Sequence, residues 1–358
     1  MFLYFSFFSL IFGLCTVGFY ARQKKLISLI IIFLLFLFSA VRGEVGLDTQ
    51  SYLEHYDKLE SSDYVFHYMS QIEPGFALYS IAHKYLFDNS FSYLAIYSFF
   101  QCYLLWLLVR RLDGKSTFWF LISYVAIFYI NNHFNVLRVG SALLIFMLAL
   151  TGKTPKEKIS LALLAPLFHV SVLFFYPLFF LKLTRASIFG TVVFLLSLAG
   201  LLYLKFDFFE YKFEAYSDYG SFDDSGFSKA RLLLILGLFS SCFITARQSR
   251  YLFFATVYLA FSIFVAHWMP VLYRLINMSL LIYFYFLVRE FQTYGYQLRK
   301  TLFWLIFGWY FFMTWSSIYY QTEELEKRIQ AGEIKLERAL CFTYVPYKFF
   351  WETSCNSD

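Results

Sequence analysis

Three arginines, Arg42, Arg138 and Arg274, stand at the edges of long apolar runs. A planar guanidinium grips carboxylate or phosphate oxygens two at a time, so three such groups turned toward one hollow would suit a phosphate or diphosphate. Asp48, Glu73 and His169 bring groups able to take a proton from a hydroxyl. Each residue also has a plainer reading. The arginines could snorkel to lipid phosphates or pair with loop carboxylates. Asp48 could be the N-cap of a helix starting near Thr49, and Glu73 could precede a helix whose first position is Pro74. His169 could be a buried ring bonded to a carbonyl, and Tyr52, a candidate hydrogen-bonding group, could belong to an aromatic belt. His133, beside Asn131 and Asn132, reads as a solvated loop residue.

These groups need a scaffold, and the composition restricts its kind. Of 358 residues 60% are hydrophobic and 15% charged, and the mean hydropathy of +0.59 is too high for a water-soluble domain. Apolar runs near the length of a membrane crossing recur at residues 3–20, 26–42, 92–109, 117–131, 136–151, 187–204, 231–246, 251–266, 272–288 and 301–319. The expected fold is therefore an all-α, polytopic integral membrane protein with about 10 to 12 transmembrane helices. The first run has no basic n-region and no small-residue cleavage site, so it is expected to be retained as a span. The net charge of +6 follows from basic cytoplasmic loops and calls for no nucleic acid. The five cysteines lack metal-binding spacing, and neither a metal nor a cofactor is expected.

Lys and Arg in short loops orient the chain. Arg22/Lys24/Lys25, Arg110/Arg111/Lys115, Lys153/Lys156/Lys158, Lys182/Arg185, Arg247/Arg250 and Arg289/Arg299/Lys300 all belong on the cytoplasmic side. That holds if two stretches do not reverse the chain. Residues 75–87 are short and polar enough for an interfacial or re-entrant helix, and residues 159–181, interrupted by Pro166 and Pro177, for a broken hairpin. The acidic loops 43–74 and 205–230 and the tail 320–358, with a surface helix at 322–340, then lie outside. A Cys341–Cys355 disulfide in that tail would rest on compartment alone. Arg42, Arg138 and Arg274 fall at outer ends of spans, where the charge bias disfavours them. An arginine at a helix centre costs about 2.5–3.5 kcal/mol on the insertion scale, so three at this face need a reason.

Several short motifs agree in order with one family. Gly46-Leu47-Asp48-Thr49-Gln50-Ser51-Tyr52, following Arg42, resembles the Gly-x-Asp-Thr-x-x-Tyr signature of the EpsG-like, Wzy-type polysaccharide polymerases. Glu73-Pro74-Gly75-Phe76 resembles their Glu-Pro-Gly-aromatic motif, Arg138-Val139-Gly140 their Arg-opened helix, and His169-Val170-Ser171 their His-x-Ser motif. Tyr273-Arg274-Leu275 and Pro346-Tyr347 also resemble the family, whereas Val139 replaces a residue that is often polar.

The resemblance implies a GT-C-like membrane glycosyltransferase domain over residues 1–319 in the bacterial inner membrane, with its active site facing the periplasm or exterior. It implies joining of undecaprenyl-diphosphate-linked repeat units, both donor and acceptor being lipid-linked, with a chain-length regulator as a further candidate partner. Arg138 and Arg274 would hold the donor diphosphate, and Arg42 would assist or hold the acceptor diphosphate. Asp48, Glu73 and His169 are open alternatives for the base, Asp48 having the best motif and Glu73 the next, and Tyr52 is a candidate glycan contact. A lipid-linked glycan ligase shares the donor chemistry. A flippase or transporter should show paired internal repeats and midplane charges, and an acyltransferase should place its functional basic residues toward the cytoplasm.

Overall fold

Most of the long helices follow from apolar runs covered by protein on one side or all round. The structure, a computed structural model, describes residues 2–43, 45–46, 48–60, 62–179, 249–268, 273–290, 300–301, 303–312 and 315. No strand occurs among the described residues. The chain divides into two compact units, Met1–Val170 with Phe291–Asp358, and Ser171–Glu290.

In the first unit, α1 (Phe2–Tyr20) packs on α2 (Lys24–Ala40), α2 on α6 (Ser90–Val109), and α6 on α8 (Leu137–Thr151). Helix α2 turns Ile31, Ile32, Leu35 and Phe38 inward, yet Leu29, Ile30, Phe33 and Leu37 on its other side are exposed. An outward face this apolar suits hydrocarbon rather than water. Leu3–Tyr20 and Ser90–Val109 are long and apolar enough to cross a membrane. Shorter apolar helices span Ser116–Phe128, Leu137–Thr151, Arg250–Phe264 and Phe303–Phe312. Helix α8 is buried at every residue from Val139 to Leu150, the mark of a central helix.

The run expected at 117–131 is less regular than a plain span. Helix α7 (Ser116–Ser123) widens into two π-helical turns, Tyr124–Phe128 and Asn131–Asn135. In the second, the Val136 amide bonds the Asn131 carbonyl at 2.8 Å. The next three carbonyls are claimed from outside the helix. Gln101 Nε2 donates to Asn132 O at 3.0 Å, Arg42 donates to His133 O, and Thr49 Oγ1 donates to Phe134 O at 2.7 Å. Helix α8 therefore starts afresh at Leu137, with an N-terminus of its own.

The acidic loop 43–74 is itself mostly helical. It holds α3 (Thr49–Asp57) and α4 (Ser62–Gln71), and leads into α5 (Pro74–Phe87) where the short helix is expected. Tyr52, Tyr56, Tyr68, Phe76, Tyr93 and Tyr97 form a buried aromatic core under it. Hydroxyls in that core find partners, as buried phenols must: Tyr56 bonds His83 Nδ1 at 2.9 Å and Tyr93 bonds Ser80 Oγ at 3.0 Å. Leu78, Tyr85, Leu86 and Phe87 remain exposed along α5, as on a helix lying at an interface.

The stretch expected to be broken is broken. Helix α9 (Pro155–Leu164), capped by Thr154, tightens to a 3₁₀ turn at Ala165–Leu167, and the chain breaks at Phe168–His169. A second 3₁₀ turn, Val170–Phe175, leads to α10 (Tyr176–Phe179) in the second unit. There α11 (Arg250–Trp268) and α12 (Tyr273–Arg289) pack together, with Ser262 Oγ 2.6 Å from Ser279 Oγ and Tyr251 stacked on Phe286. The expected spans 187–204 and 231–246, loop 205–230, tail helix and Cys341–Cys355 pair lie outside the described residues.

Candidate active site

Glu73 is the residue around which the site is built. It occupies the N-cap position of α5 with Pro74 following, but its side chain makes no capping bond. Its carboxylate instead accepts from the Arg138 guanidinium through Oε2, and from His169 Nδ1 through Oε1 at 2.6 Å. Residues 65 and 96 positions away in sequence thus meet on one carboxylate. Glu73 is 9% exposed. Burial alone would push its carboxyl up, but the His169 hydrogen bond and the charges of His169 and Arg138 outweigh that and hold it well below the usual carboxylate range.

Two close backbone approaches set this geometry. A Cβ on Gly75 would lie 2.8 Å from the Leu167 carbonyl oxygen, so the lack of a side chain there lets α5 begin against the turn that presents His169. Gly46 has φ +113°, and a Cβ there would lie 2.3 Å from the Phe134 carbonyl oxygen. That glycine lets the segment before α3 lie directly on the π-helical turns. The Asp48 amide donates to Asn135 Oδ1 at 2.8 Å, and Asp48 takes the N-cap position of α3 without a side-chain capping bond.

Arg138 is the second residue of α8, at the positive end of the helix dipole. It hydrogen-bonds Tyr52 and lies 5.8 Å over the Phe76 ring. Tyr52 packs in turn on Phe76, with ring centroids 5.5 Å apart. Guanidinium, helix N-terminus and aromatic wall together make a place for an anion, presently filled by the Glu73 carboxylate.

The structure therefore brings Tyr52, Glu73, Arg138 and His169 together, with Asp48 tied to the neighbouring π-helical turn. Arg42 is placed differently. Only 1% exposed, it donates to the His133 carbonyl and stacks over Phe134 at 4.8 Å, which makes it part of the wall behind the loop. Arg274 lies in the second unit, exposed, at the second position of α12.

Two residues escaped the reading of the sequence. His133 is fully buried, its Nε2 2.9 Å from the Tyr124 hydroxyl, and is not the solvated loop residue its asparagine neighbours suggest. The π-helical turns carry it inward. Gln101 fastens the start of α8 through Asn132 O and Leu137 O, the latter at 2.9 Å. Its signal was available: a carboxamide inside an apolar 20-residue run. Among the described residues no group of three or more metal-ligating side chains occurs.

No curated protein and no solved structure matches the chain significantly. The model of the EpsG family matches residues 25–330, a range that contains every residue of the site. With so much of its length matched, the chain belongs to the EpsG family, whose function is polysaccharide-polymerase-like, of the glycosyltransferase kind, and membrane-bound.

Proposed function

We propose that the protein polymerises undecaprenyl-diphosphate-linked oligosaccharide repeat units at the extracytoplasmic face of the bacterial inner membrane, using a GT-C-like scaffold of ten to twelve spans. One observation carries this reading: Arg138, set at the positive end of α8, already grips an anionic group, and that group also holds His169.

The chemistry matches these parts. An acceptor sugar hydroxyl attacks the anomeric carbon of the donor chain, and the bond to the lipid diphosphate breaks with its electron pair on phosphate oxygen. Negative charge grows on the leaving group, where preorganised guanidinium groups stabilise it. Arg138 holds the donor diphosphate. Arg42, buried and anchored, assists through its charge rather than by holding the acceptor diphosphate. With its Nδ1–H donated in a hydrogen bond to the Glu73 carboxylate, His169 takes the hydroxyl proton at Nε2. Glu73 suits this role less, both of its oxygens being engaged and its proton affinity low. Tyr52 contacts glycan.

The test is reaction of the purified full chain in lipid nanodiscs with a defined lipid-diphosphate oligosaccharide, following product length. A ladder that disappears in Arg138→Ala and His169→Ala is expected. A ladder unchanged in both variants overturns the site, and transfer to a different acceptor without a ladder makes the protein a ligase.

A further inference from the structure

Glu73 divides one carboxylate between two partners, Arg138 on Oε2 and His169 on Oε1. In so buried a place neither bond is much weakened by water. The negative charge that reaches the imidazole is what the guanidinium leaves. Resting on the reading of Arg138 as a diphosphate ligand, we propose that Glu73 is a positioning residue that couples occupancy of Arg138 to the proton affinity of His169. When a diphosphate takes the guanidinium, the carboxylate acts on the imidazole alone and His169 becomes the stronger base.

The step balances. The hydroxyl proton moves to Nε2, the resulting imidazolium is offset by Glu73, and the electron pair of the broken glycosyl–oxygen bond departs on the diphosphate, against Arg138. A base strengthened by the donor is weak before the donor arrives, so acceptor activation waits for a reaction partner. Tyr52 from α3 and Tyr68 from α4 face Arg138, and burial pushes the Tyr68 hydroxyl up to about 12, so it stays neutral. Helix α6 offers Phe100, stacked on Phe168 beside His169.

The experiment follows the His169 ring by NMR in the full chain in nanodiscs with labelled histidine, its resonance assigned by loss in His169→Gln. The probe is farnesyl diphosphate, its binding measured separately by calorimetry. On saturation the His169 titration midpoint should rise by about one pH unit, a tenfold gain in proton affinity. In Arg138→Gln the midpoint should be high without the probe and unmoved by it. In Glu73→Gln the probe should still bind while the rise is lost. Should Arg138→Gln not fold, the wild type and Glu73→Gln decide the matter. Binding that leaves the wild-type midpoint in place, or a rise that survives Glu73→Gln, overturns the coupling but keeps the diphosphate site. No binding to the wild type overturns both.

Discussion

The two ends of α8 each carry an arginine bonded to a glutamate, and they stand in opposite relation to the helix. At the C-terminal end Arg111 donates to the Leu148 carbonyl and, at 2.8 Å, to Thr151 Oγ1, and pairs with Glu157. A cation there agrees with the negative end of the dipole and caps carbonyls that need a donor. At the N-terminal end Arg138 opposes the dipole, a misfit of roughly 0.3–1 kcal/mol in ordinary settings, and a buried carboxylate offsets it. The Glu157 side chain keeps a third of its surface in solvent, whereas Glu73 keeps 9%. One end obeys every local rule and reads as fastening. The other breaks a rule and meets the cost with a second charge, the pattern expected where structure is shaped for chemistry.

The comparison can be broken by substitution, and the largest effect is expected at Arg138. Arg138→Gln should lower polymer formation on the order of 100-fold, the scale for loss of one preorganised donor to a developing oxyanion. Arg138→Lys should retain a measurable part, since charge remains while the two-pronged grip is lost. Full activity in Arg138→Lys would remove the distinction between the ends.

Gly75→Ala comes next, because its Cβ would press on the Leu167 carbonyl and part Glu73 from His169. Product length should fall about tenfold or more, the scale on which small misplacements act. Gly152→Ala is the matched change at the other end. Its Cβ would lie 2.7 Å from Lys158 Cγ and 3.3 Å from the Ala149 carbonyl oxygen, so the melting temperature should fall while product length from the folded protein stays near wild type.

Arg111→Gln should cost roughly 1–3 kcal/mol as carbonyl and carboxylate lose their donor. It should lower the melting temperature in detergent while the folded fraction keeps its specific activity. Acid separates wild type from Glu73→Gln. Because the folded Glu73 value lies below the ordinary 4.5, its stabilising contribution is complete above 4.5, shrinks below it, and is gone once pH passes beneath the folded value. The melting-temperature gap between the two proteins should follow that course. Smallest of all, Glu157→Gln should change stability by under about 1 kcal/mol and leave the polymer unaltered.

What could be read in advance divides along the same line. Apolar runs of helical length located α1, α2, α6, α8, α11 and α12 within about two residues, because the hydrophobic requirement acts locally. Pro166 gave away the break before His169. Residue types at Arg138, Glu73 and His169 announced a place for acid–base and anion chemistry, but not that Glu73 would stand between the other two. Contacts across 65 and 96 residues leave no periodic trace. Nor could the inward turn of His133 be seen, since π-helical turns depend on side chains from Gln101, Arg42 and Thr49 reaching distant carbonyls.

Those wide turns also bear on the rotational phase of α8. An α-helix advances about 100° per residue. With the wide turns held by Gln101, Arg42 and Thr49, deleting one residue from the regular helix Ser116–Ser123 would swing Arg138 by about that angle, away from Glu73. The aim of the guanidinium is thus fixed by chain length upstream, and a shift of one residue would misdirect it while altering none of the side chains gathered around Glu73.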